Sequence, residues 1–351
     1  MTIRYLTNWQ NLKINQIIDV RSPDEYAEDH IPNAINIPVL NNTERALIGT
    51  IYKKESPFKA KKLGASIVSK NISNYIKNKL INTPGNWKPL IYCWRGGQRS
   101  KSLALTLSEI GWEISILKGG YKSYRKHVNI YLNKIISSYN FLVISGPTGS
   151  AKTKVLDKLE LLNCPVLNLE YLANHKGSLL GKNPGANQPS QKYFESLLYS
   201  KFKKFNRKVP ILIESESSKI GNLYLPSTII SKIEKSPSIE INTDIKSRVS
   251  YLIKDYKSFI KTKDSFNKLF AYANVKLGKD IVTAWKVNYN SKDWKKLAYQ
   301  LIVEYYDPLY NHKKNNRINS IIDKYNLSNL ENNTLNKFCK LIKNKYFSKN
   351  K

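Results

Sequence analysis

The sequence predicts an α/β protein in which two parallel-sheet domains follow each other along the chain. Two stretches support this prediction, because each combines a short buried strand, a glycine-containing loop and an amphipathic helix. The first stretch runs from Pro89 to Gly111 and the second from Asn140 to Leu162. A chain of 351 residues is long enough for two ordinary domains. Helical patterns dominate after the second stretch, so we expect the C-terminal part to be helical.

The charge of the chain points to a polyanionic partner. It carries 58 lysines and arginines against 26 acidic residues, a net charge of +32. Such an excess favours RNA binding, although a general enrichment in lysine explains the charge equally well. The three cysteines form neither a disulfide framework nor a zinc cluster, so we expect a reducing, cytoplasmic setting. No apolar run is long enough for a membrane span, so we expect no membrane partner.

The first element of the N-terminal region is a strand that contains Ile17 and Ile18 and leads to two charged residues, Asp19 and Arg21. Ser22 is predicted to cap the helix that follows. We expect Asp19 and Arg21 to support the cysteine loop described next from behind; the alternative is a surface ion pair. Residues 39–86 are predicted to form a helical insertion.

The loop from Cys93 to Arg99 is the first candidate site. A thiol at the end of a strand, before a helix, lies where the loop N–H groups, including those of Gly96 and Gly97, and the positive helix end favour a thiolate nucleophile. Arg95 and Arg99 suit an anionic substrate, because a guanidinium binds oxyanions through two parallel hydrogen bonds. The alternative is an inert buried cysteine.

The second candidate site is a phosphate-binding loop with the pattern G-x-x-x-x-x-K-T. Its glycines allow backbone amides to surround a di- or triphosphate, its lysine reaches the outer phosphates, and its threonine can hold Mg²⁺. Arg248, on a predicted helix further along, is a candidate phosphate contact. The predicted diphosphate-binding residues are Gly146, Thr148, Gly149, Ser150, Ala151, Lys152, Thr153 and Arg248.

One residue departs from the usual pattern of such loops. Ala151 stands where glycine normally precedes the lysine. Alanine fits if its φ is negative and strains the loop if it is not. Because alanine favours helical φ, we expect a loop rotated slightly toward helix geometry, functional and suited to a diphosphate rather than a nucleoside triphosphate.

Carboxylates follow a second apolar strand in this domain. Glu214 and Glu216 lie at its end, where acidic residues of phosphate-loop proteins hold Mg²⁺ or position a water. An ordinary polar strand end is an equally good interpretation of each residue alone. Glu214 and Glu216 are therefore candidates for Mg²⁺ binding or for acid–base catalysis, and the sequence alone defines no metal site.

The N-terminal region resembles the rhodanese superfamily. The resemblance covers residues 1–128 and rests on DVRSP, on HIPNAINIP, on the cysteine loop and on KGGYKSYR. It implies a parallel α/β sheet with the cysteine loop at the strand ends. The loop is longer than in most sulfurtransferases of this superfamily and nearer in length to that of dual-specificity phosphatases. A longer loop suits a bulkier or phosphorylated donor.

The whole chain resembles the tRNA 2-selenouridine synthase family. The motifs that carry this resemblance are CWRGGQRS, NNTERALIGTIYKK, KGGYKSYR, GPTGSAKT, NLEYLANHKGSLLG, QPSQKYFE, ESESSKIG and VEYYDPLY. The resemblance implies a rhodanese-like domain (1–128), a helical connector (129–140) and a phosphate-loop domain (141–351) that binds prenyl diphosphate and tRNA and ends in a Lys/Asn-rich tail.

The resemblance also implies a reaction. Family members attach a geranyl group from geranyl diphosphate to the sulfur of wobble 2-thiouridine in tRNA. They then replace the S-geranyl group with selenium from selenophosphate. Cys93 is the implied perselenide-forming nucleophile, and the phosphate loop would hold the diphosphate. We expect no tightly bound cofactor and a cytoplasmic monomer that acts on the anticodon loop.

Three other functions are compatible with these motifs. The first is a persulfide sulfurtransferase with a nucleotide-dependent phosphate loop, and the second is a phosphatase that uses the cysteine loop. The third is a non-catalytic RNA-binding protein, for which Ala151 is the only indication. The ligand of the phosphate loop, geranyl diphosphate or a nucleoside triphosphate, distinguishes the first of these from a selenouridine synthase.

Overall fold

The structure is a computed structural model of the chain, and it describes residues 3–7, 10, 14–177, 181, 187–257, 263–315 and 320–347. Two compact units divide the chain. Unit 1 comprises Met1–Tyr131 and Glu195–Ser200, and unit 2 comprises Leu132–Phe194 and Lys201–Lys351. The boundary therefore falls inside the predicted connector at 129–140. The connector is helical, as predicted, with a π-helical turn at Tyr131–Ile135 and a 3₁₀ turn at Ile136–Ser138.

Unit 1 is built on a five-stranded parallel sheet with the strand order β1-β5-β4-β2-β3. All four residues of β4 are buried, as expected for a central parallel strand covered on both faces. The strands are β1 (Arg4–Leu6), β2 (Gln16–Asp19), β3 (Ala34–Asn36), β4 (Pro89–Tyr92) and β5 (Ser115–Leu117). The helices are α1 (Pro23–Glu28), α2 (Asn42–Lys54), α3 (Pro57–Tyr75), α4 (Gln98–Ile110) and α5 (Gly120–Ile130).

The predicted helical insertion at 39–86 is confirmed. It consists of α2 and α3 and a π-helical turn at Ile76–Leu80. Its buried residues, among them Val68 and Ile72, join the same apolar core as Ile18 and Leu103. The insertion is therefore part of unit 1 and helps to bury the sheet that carries the cysteine loop.

Unit 2 contains a second five-stranded parallel sheet with the order β12-β11-β6-β8-β7. Its strands are β6 (Phe141–Ser145), β7 (Val166–Leu167), β8 (Ile211–Glu214), β11 (Ser238–Thr243) and β12 (Ile321–Leu327), and a two-stranded antiparallel sheet is formed by β9 (Lys219–Ile220) and β10 (Leu223–Tyr224). The first helices are α6 (Lys152–Leu161), α7 (Leu169–Ala173), α8 (Gln191–Phe202) and α9 (Ser227–Lys235).

The C-terminal half of unit 2 is largely helical, as predicted. Its helices are α10 (Ile245–Asp255), α11 (Lys263–Leu277), α12 (Lys279–Asn290), α13 (Trp294–Gln300), α14 (Asp307–Asn315) and α15 (Asn332–Phe347). A π-helical segment, Leu301–Tyr306, joins α13 to α14. Helices α11 to α13 share an apolar core of their own around Trp285. Most of the Gly/Pro-rich loop before α8, at residues 178–186, lies outside the described residues.

The Lys/Asn-rich C-terminal region is folded over its described residues. β12 pairs with β11 as an edge strand of the sheet, and α15 buries Leu335, Phe338 and Ile342 in the same core as Val155. The composition gives little sign of these elements, because lysine and asparagine occupy their outward positions. β12 alternates strictly between outward and inward residues, and α15 is amphipathic.

Candidate functional site

In the cysteine loop of unit 1, one backbone N–H and one hydroxyl contact the sulfur of Cys93. The backbone N–H of Gly97 donates to Sγ at 3.2 Å, and Ser100 Oγ lies 3.3 Å from Sγ. The Ser100 hydroxyl also donates to the carbonyl of Gly97 at 3.0 Å, which fixes the start of α4 against the thiol. Only 3% of Cys93 is exposed.

Two glycines allow the loop to close tightly. Gly96 has φ of +67°, and a Cβ on it would lie 2.7 Å from the carbonyl oxygen of Leu117. A Cβ on Gly120 would lie 2.2 Å from the carbonyl oxygen of Cys93. The Tyr121 N–H donates to that same carbonyl at 2.8 Å. The sequence predicts that Gly96 supplies an N–H to the sulfur. In the structure Gly97 makes that contact, and Gly96 allows the close approach of the loop to Leu117.

Asp19 and Arg21 are fully buried and paired with each other, so they are not a surface ion pair. The Arg21 guanidinium donates to both carboxylate oxygens of Asp19, with its closest contact at 2.6 Å, and to the carbonyl of Asp29. It also lies 4.0 Å from the ring centroid of Tyr121, the residue whose N–H binds the Cys93 carbonyl. Through Tyr121, the Asp19–Arg21 pair is connected to the backbone of the cysteine loop.

The two arginines of the cysteine loop differ in their surroundings. Arg99 binds the carboxylate of Glu25, with Nη1 2.7 Å from Oε2. Burial alone would raise the pKa of Glu25, but the hydrogen bond and charge of Arg99 outweigh burial and lower it. Arg95 is exposed and makes no hydrogen bond or ion pair with the residues that the structure describes. Arg95 is therefore the arginine of this loop whose guanidinium is available to an anion.

The phosphate loop of unit 2 joins β6 to α6. β6 is the middle strand of the sheet, and β8 lies directly beside it. Lys152 Nζ donates to the loop carbonyls of Gly146 and Pro147, at 3.0 Å and 3.2 Å. Burial lowers the pKa of Lys152, although the neighbouring carboxylates oppose the shift. The ammonium thus lies within the loop, where it can transfer its hydrogen bonds to phosphate oxygens.

Ala151 differs from the sequence prediction. Its φ is +59° and its ψ is +30°, so it adopts the left-handed conformation rather than a helical one. The expectation of a loop rotated toward helix geometry is wrong, and the strain that we associated with positive φ applies, at about 1–2 kcal/mol for a residue with a Cβ. The methyl group is 3% exposed and packs in the core with Val155. This packing offsets part of the strain.

Three carboxylates and a hydroxyl meet beside the phosphate loop. Thr153 Oγ1 lies 3.0 Å from Glu170 Oε2 and 3.2 Å from Glu214 Oε2. Glu170, Glu214 and Glu216 each place one carboxylate oxygen within 4.8 Å of the others. Glu214 is 2% exposed, and its Oε1 has no hydrogen-bond partner in the part of the chain that the structure describes. A buried carboxylate oxygen without a partner, among oxygen donors, fits a hard divalent cation such as Mg²⁺.

The electrostatics of this cluster agree with a cation site. Burial and the charge of Glu216 raise the pKa of Glu170 to about 8. Burial and the charges of Glu170 and Glu216 raise the pKa of Glu214 well above its usual value. Without a cation, the three carboxyl groups therefore resist simultaneous ionisation. A divalent cation would allow all three to ionise.

Arg248 supports the phosphate loop and does not line the cavity beside it. Its Nε donates to the carbonyl of Thr148 at 2.8 Å. Both terminal nitrogens bind the carboxylate of Asp307, at 2.6 Å and 2.9 Å. All three side-chain nitrogens of Arg248 are therefore engaged within the protein. We expect Arg248 to influence phosphate binding indirectly, through the position of Thr148, and not by the direct contact predicted from the sequence.

The phosphate loop and the carboxylates line one open cavity of about 1,410 Å³ in unit 2. Sequence reasoning predicted Glu214 and Glu216 but missed Glu170. Glu170 follows β7 in the first turn of α7, and β7 has only two residues, too few to give a strand pattern. The sheet brings it near the other two because β7 pairs with β8. Another loop hydroxyl, Ser150 Oγ, is fully buried and has no hydrogen-bond partner among the described residues.

No helix among the described residues combines the length and apolar character that a membrane crossing requires.

Comparison with known proteins agrees with both units. A family model described as the tRNA 2-selenouridine synthase AAA domain matches residues 139–276, and the rhodanese-like domain model matches residues 2–127. The chain is 30% identical over 343 residues to the tRNA 2-selenouridine synthase of Sulfurovum sp., covering 90% of this chain and 93% of that protein. It is 31% identical to the Shewanella denitrificans synthase, covering 86% and 89%.

A relative from Nitrosomonas europaea, also named tRNA 2-selenouridine synthase, is 35% identical over 244 residues. That match covers 68% of this chain and 63% of the relative. The two longer matches extend over both units, so the similarity is not confined to one domain. The chain therefore belongs to the tRNA 2-selenouridine synthase family, a family of tRNA-modifying enzymes.

Proposed function

We propose that this protein converts wobble 2-thiouridine of tRNA into 2-selenouridine through an S-geranyl intermediate. The observation that carries the proposal is the presence in one chain of two different anion sites. One places a backbone N–H donor and a hydroxyl beside a thiol, and the other combines a phosphate loop with a carboxylate cluster. The net charge of +32 suits a tRNA substrate.

The phosphate loop would serve the first step. The thiouridine sulfur attacks C1 of geranyl diphosphate, the S–C1 bond forms, the C1–O bond breaks, and diphosphate leaves. Lys152 and the loop N–H groups stabilise the charge that develops on the leaving group. Thr153, Glu170 and Glu214 would hold Mg²⁺, which adds further charge stabilisation when bound. Alkylation turns the sulfur into a better leaving group from C2 of the base.

The cysteine loop would serve the second step. Cys93 Sγ bonds to selenium of selenophosphate as the Se–P bond breaks. Selenium is oxidised by two electrons, and phosphorus keeps the electron pair of that bond and leaves as phosphite. Arg95 and the loop N–H groups hold the phosphoryl oxygens. The perselenide then attacks C2 and the geranyl thiolate leaves. A thiol reductant cleaves the remaining S–Se bond and releases the selenouridine. Single-stranded anticodon bases are accessible to such chemistry at low cost.

Mass spectrometry of nucleosides tests both steps. Thiouridine tRNA is treated with the protein and geranyl diphosphate, and then with selenophosphate and a thiol. S-geranyl-2-thiouridine should form first and 2-selenouridine second. If ATP or GTP, rather than geranyl diphosphate, is required for product formation, the chain instead couples sulfur or selenium transfer to a nucleotide.

A further inference from the structure

A second and smaller cavity in unit 2 has a different character from the phosphate cavity. Its wall is formed mainly by the side chains of Leu252, Phe266, Trp294, Leu297, Ala298 and Leu301. Its volume is about 70 Å³. By the same measure a single water needs roughly 10–15 Å³, so the cavity has space for about five groups of that size. Because its lining is apolar, it suits a hydrocarbon better than water.

This cavity adjoins the phosphate loop directly. Thr148, Leu252, Tyr256 and Tyr306 line both it and the large phosphate cavity. A Cβ on Gly149 would lie 3.1 Å from Leu252 Cγ, so the wall of the small cavity touches the loop itself. A ligand with its anionic end on the phosphate loop can therefore extend an apolar tail into the small cavity without crossing a polar region.

The wall of the cavity is held by packing within the helical part of unit 2. The rings of Phe266 and Trp294 lie 6.2 Å apart, and Trp294 also packs edge-on against Tyr289 at 5.7 Å. Leu297 and Leu301 belong to the apolar core of the same helices. Residues from α10, α11 and α13 thus form a packed apolar wall around a cavity that is open on one side.

We propose that this space, here called the tail cavity, binds the terminal isoprene unit of the prenyl diphosphate and selects its chain length. The inference rests on the proposed function, since it assumes that the phosphate loop binds a prenyl diphosphate. An isoprene unit has five carbons, which matches the space for about five small groups. The first isoprene unit of geranyl diphosphate lies at the mouth and the second fills the cavity. A farnesyl chain carries a third unit, for which the cavity has no room.

Binding of a ligand series to the full chain tests the tail cavity. Dissociation constants are measured, with Mg²⁺ present, for inorganic diphosphate and for dimethylallyl, geranyl and farnesyl diphosphate. Each buried methylene is worth about fourfold in affinity, so five carbons give at most ~1,000-fold. We expect geranyl diphosphate to bind about 100-fold more tightly than dimethylallyl diphosphate and at least about 10-fold more tightly than farnesyl diphosphate.

Two variants locate the tail. Ala298→Phe fills the cavity and should reduce geranyl diphosphate affinity about 100-fold, to the dimethylallyl level, while inorganic diphosphate binds within about twofold of wild type. Trp294→Ala enlarges the cavity and should improve farnesyl diphosphate binding. Val303→Phe is the matched control, because Val303 follows the same helix but is 41% exposed and does not line the cavity.

A crosslinking experiment keeps the test independent of variant folding. Geranyl diphosphate with a photoreactive diazirine at its far end should label wild type within α10, α11 or α13. Labelling confined to other segments, or unchanged geranyl affinity in Ala298→Phe, would overturn the tail cavity. If wild type binds neither inorganic diphosphate nor any prenyl diphosphate, the proposed function fails instead. A preference for geranyl over dimethylallyl diphosphate that survives in Ala298→Phe leaves the proposed function intact and places the tail elsewhere.

Discussion

The cysteine loop and the phosphate loop follow the same plan but differ in how their polar groups are satisfied. Each joins a buried strand of a parallel sheet to a helix. Around the cysteine loop Asp19 pairs with Arg21 and Glu25 with Arg99, and Arg95 alone is left available to an anion among the described residues of that loop. Beside the phosphate loop, three carboxylates lie close together, and Glu214 Oε1 has no hydrogen-bond partner among the described residues.

This difference indicates two kinds of anion chemistry. A covalent step at one sulfur needs a nucleophile whose position is fixed before the substrate arrives, and paired charges provide that rigidity. Reversible binding of a diphosphate and a cation needs groups that are incompletely satisfied in the free protein, because the ligand then completes them. The buried hydroxyl of Ser150 and the carboxylates beside Thr153 are of this second kind.

The largest effect is expected at the cysteine loop. Cys93→Ala removes the proposed selenium acceptor and should lower formation of 2-selenouridine at least ~10³-fold, as expected when a nucleophile is lost. Nucleoside mass spectrometry measures the product. Cys164→Ala is the matched control, since burial raises the pKa of the Cys164 thiol and keeps it inert. Equal losses in the two variants would remove the distinction between Cys93 and an ordinary buried cysteine.

The two sites should also respond to pH in opposite directions. The pKa of Glu25 is lowered in the folded state, so its contribution to stability is present above about pH 4.5 and is lost in acid. The pKa of Glu170 is raised to about 8, so its contribution is full below about pH 4.5 and is lost as pH rises toward 8. Glu25→Gln should therefore flatten the acid side of the melting-temperature profile, and Glu170→Gln the alkaline side.

Thermal unfolding from pH 3 to pH 9, without divalent cations, measures this contrast. Millimolar Mg²⁺ should reduce the alkaline loss in wild type and have little influence in Glu170→Gln, because the cation stabilises the ionised carboxylates. An alkaline loss that Mg²⁺ leaves unchanged would argue against a cation at the cluster of Glu170, Glu214 and Glu216.

The smallest effect is expected at Ala151. Ala151→Gly removes left-handed strain of about 1–2 kcal/mol, and the greater freedom of glycine in the unfolded chain offsets about 0.4–1 kcal/mol. We expect the melting temperature to rise by about 1–3 °C and geranyl diphosphate affinity to stay within about tenfold. Ala151→Val should weaken binding much more, because a branched residue is poorly accommodated at positive φ.

A matched alanine-to-glycine substitution in unit 1 should change the melting temperature in the opposite direction. Ala104 is fully buried in the middle of α4, where glycine costs about 1 kcal/mol relative to alanine. Ala104→Gly should therefore lower the melting temperature. If Ala151→Gly lowers it as well, the positive φ at Ala151 contributes no strain to the loop.

Much of the fold followed from local patterns. Continuous apolar runs before each loop predicted β4, β6 and β8, and the capping pattern around Ser22 predicted the start of α1. The edge strand β12 and helix α15 were missed, because a lysine- and asparagine-rich composition hid their regular spacing. The backbone of Ala151 was predicted wrongly, since local propensity favours helix while the loop and core around it impose a positive φ.

The candidate sites were predictable where chemistry lies in one continuous stretch. Cys93, Lys152 and Thr153 were found because strand, loop and helix are adjacent in sequence. Glu170 and the partner of Arg248, Asp307, were not, because the fold brings them to the phosphate loop from distant segments. The tail cavity could not be predicted from the sequence for the same reason, because its wall comes from separate helices that share no motif.

The most direct test of the two-site division supplies the intermediate to each defective variant. tRNA that already carries S-geranyl-2-thiouridine is given to Lys152→Ala with selenophosphate and a thiol. We predict that 2-selenouridine forms at close to the wild-type rate, although this variant makes neither product from 2-thiouridine tRNA. Cys93→Ala should show the reverse, with normal geranylation and no selenation. Failure of Lys152→Ala on the pre-geranylated tRNA would contradict the assignment of the phosphate loop to the geranyl step alone.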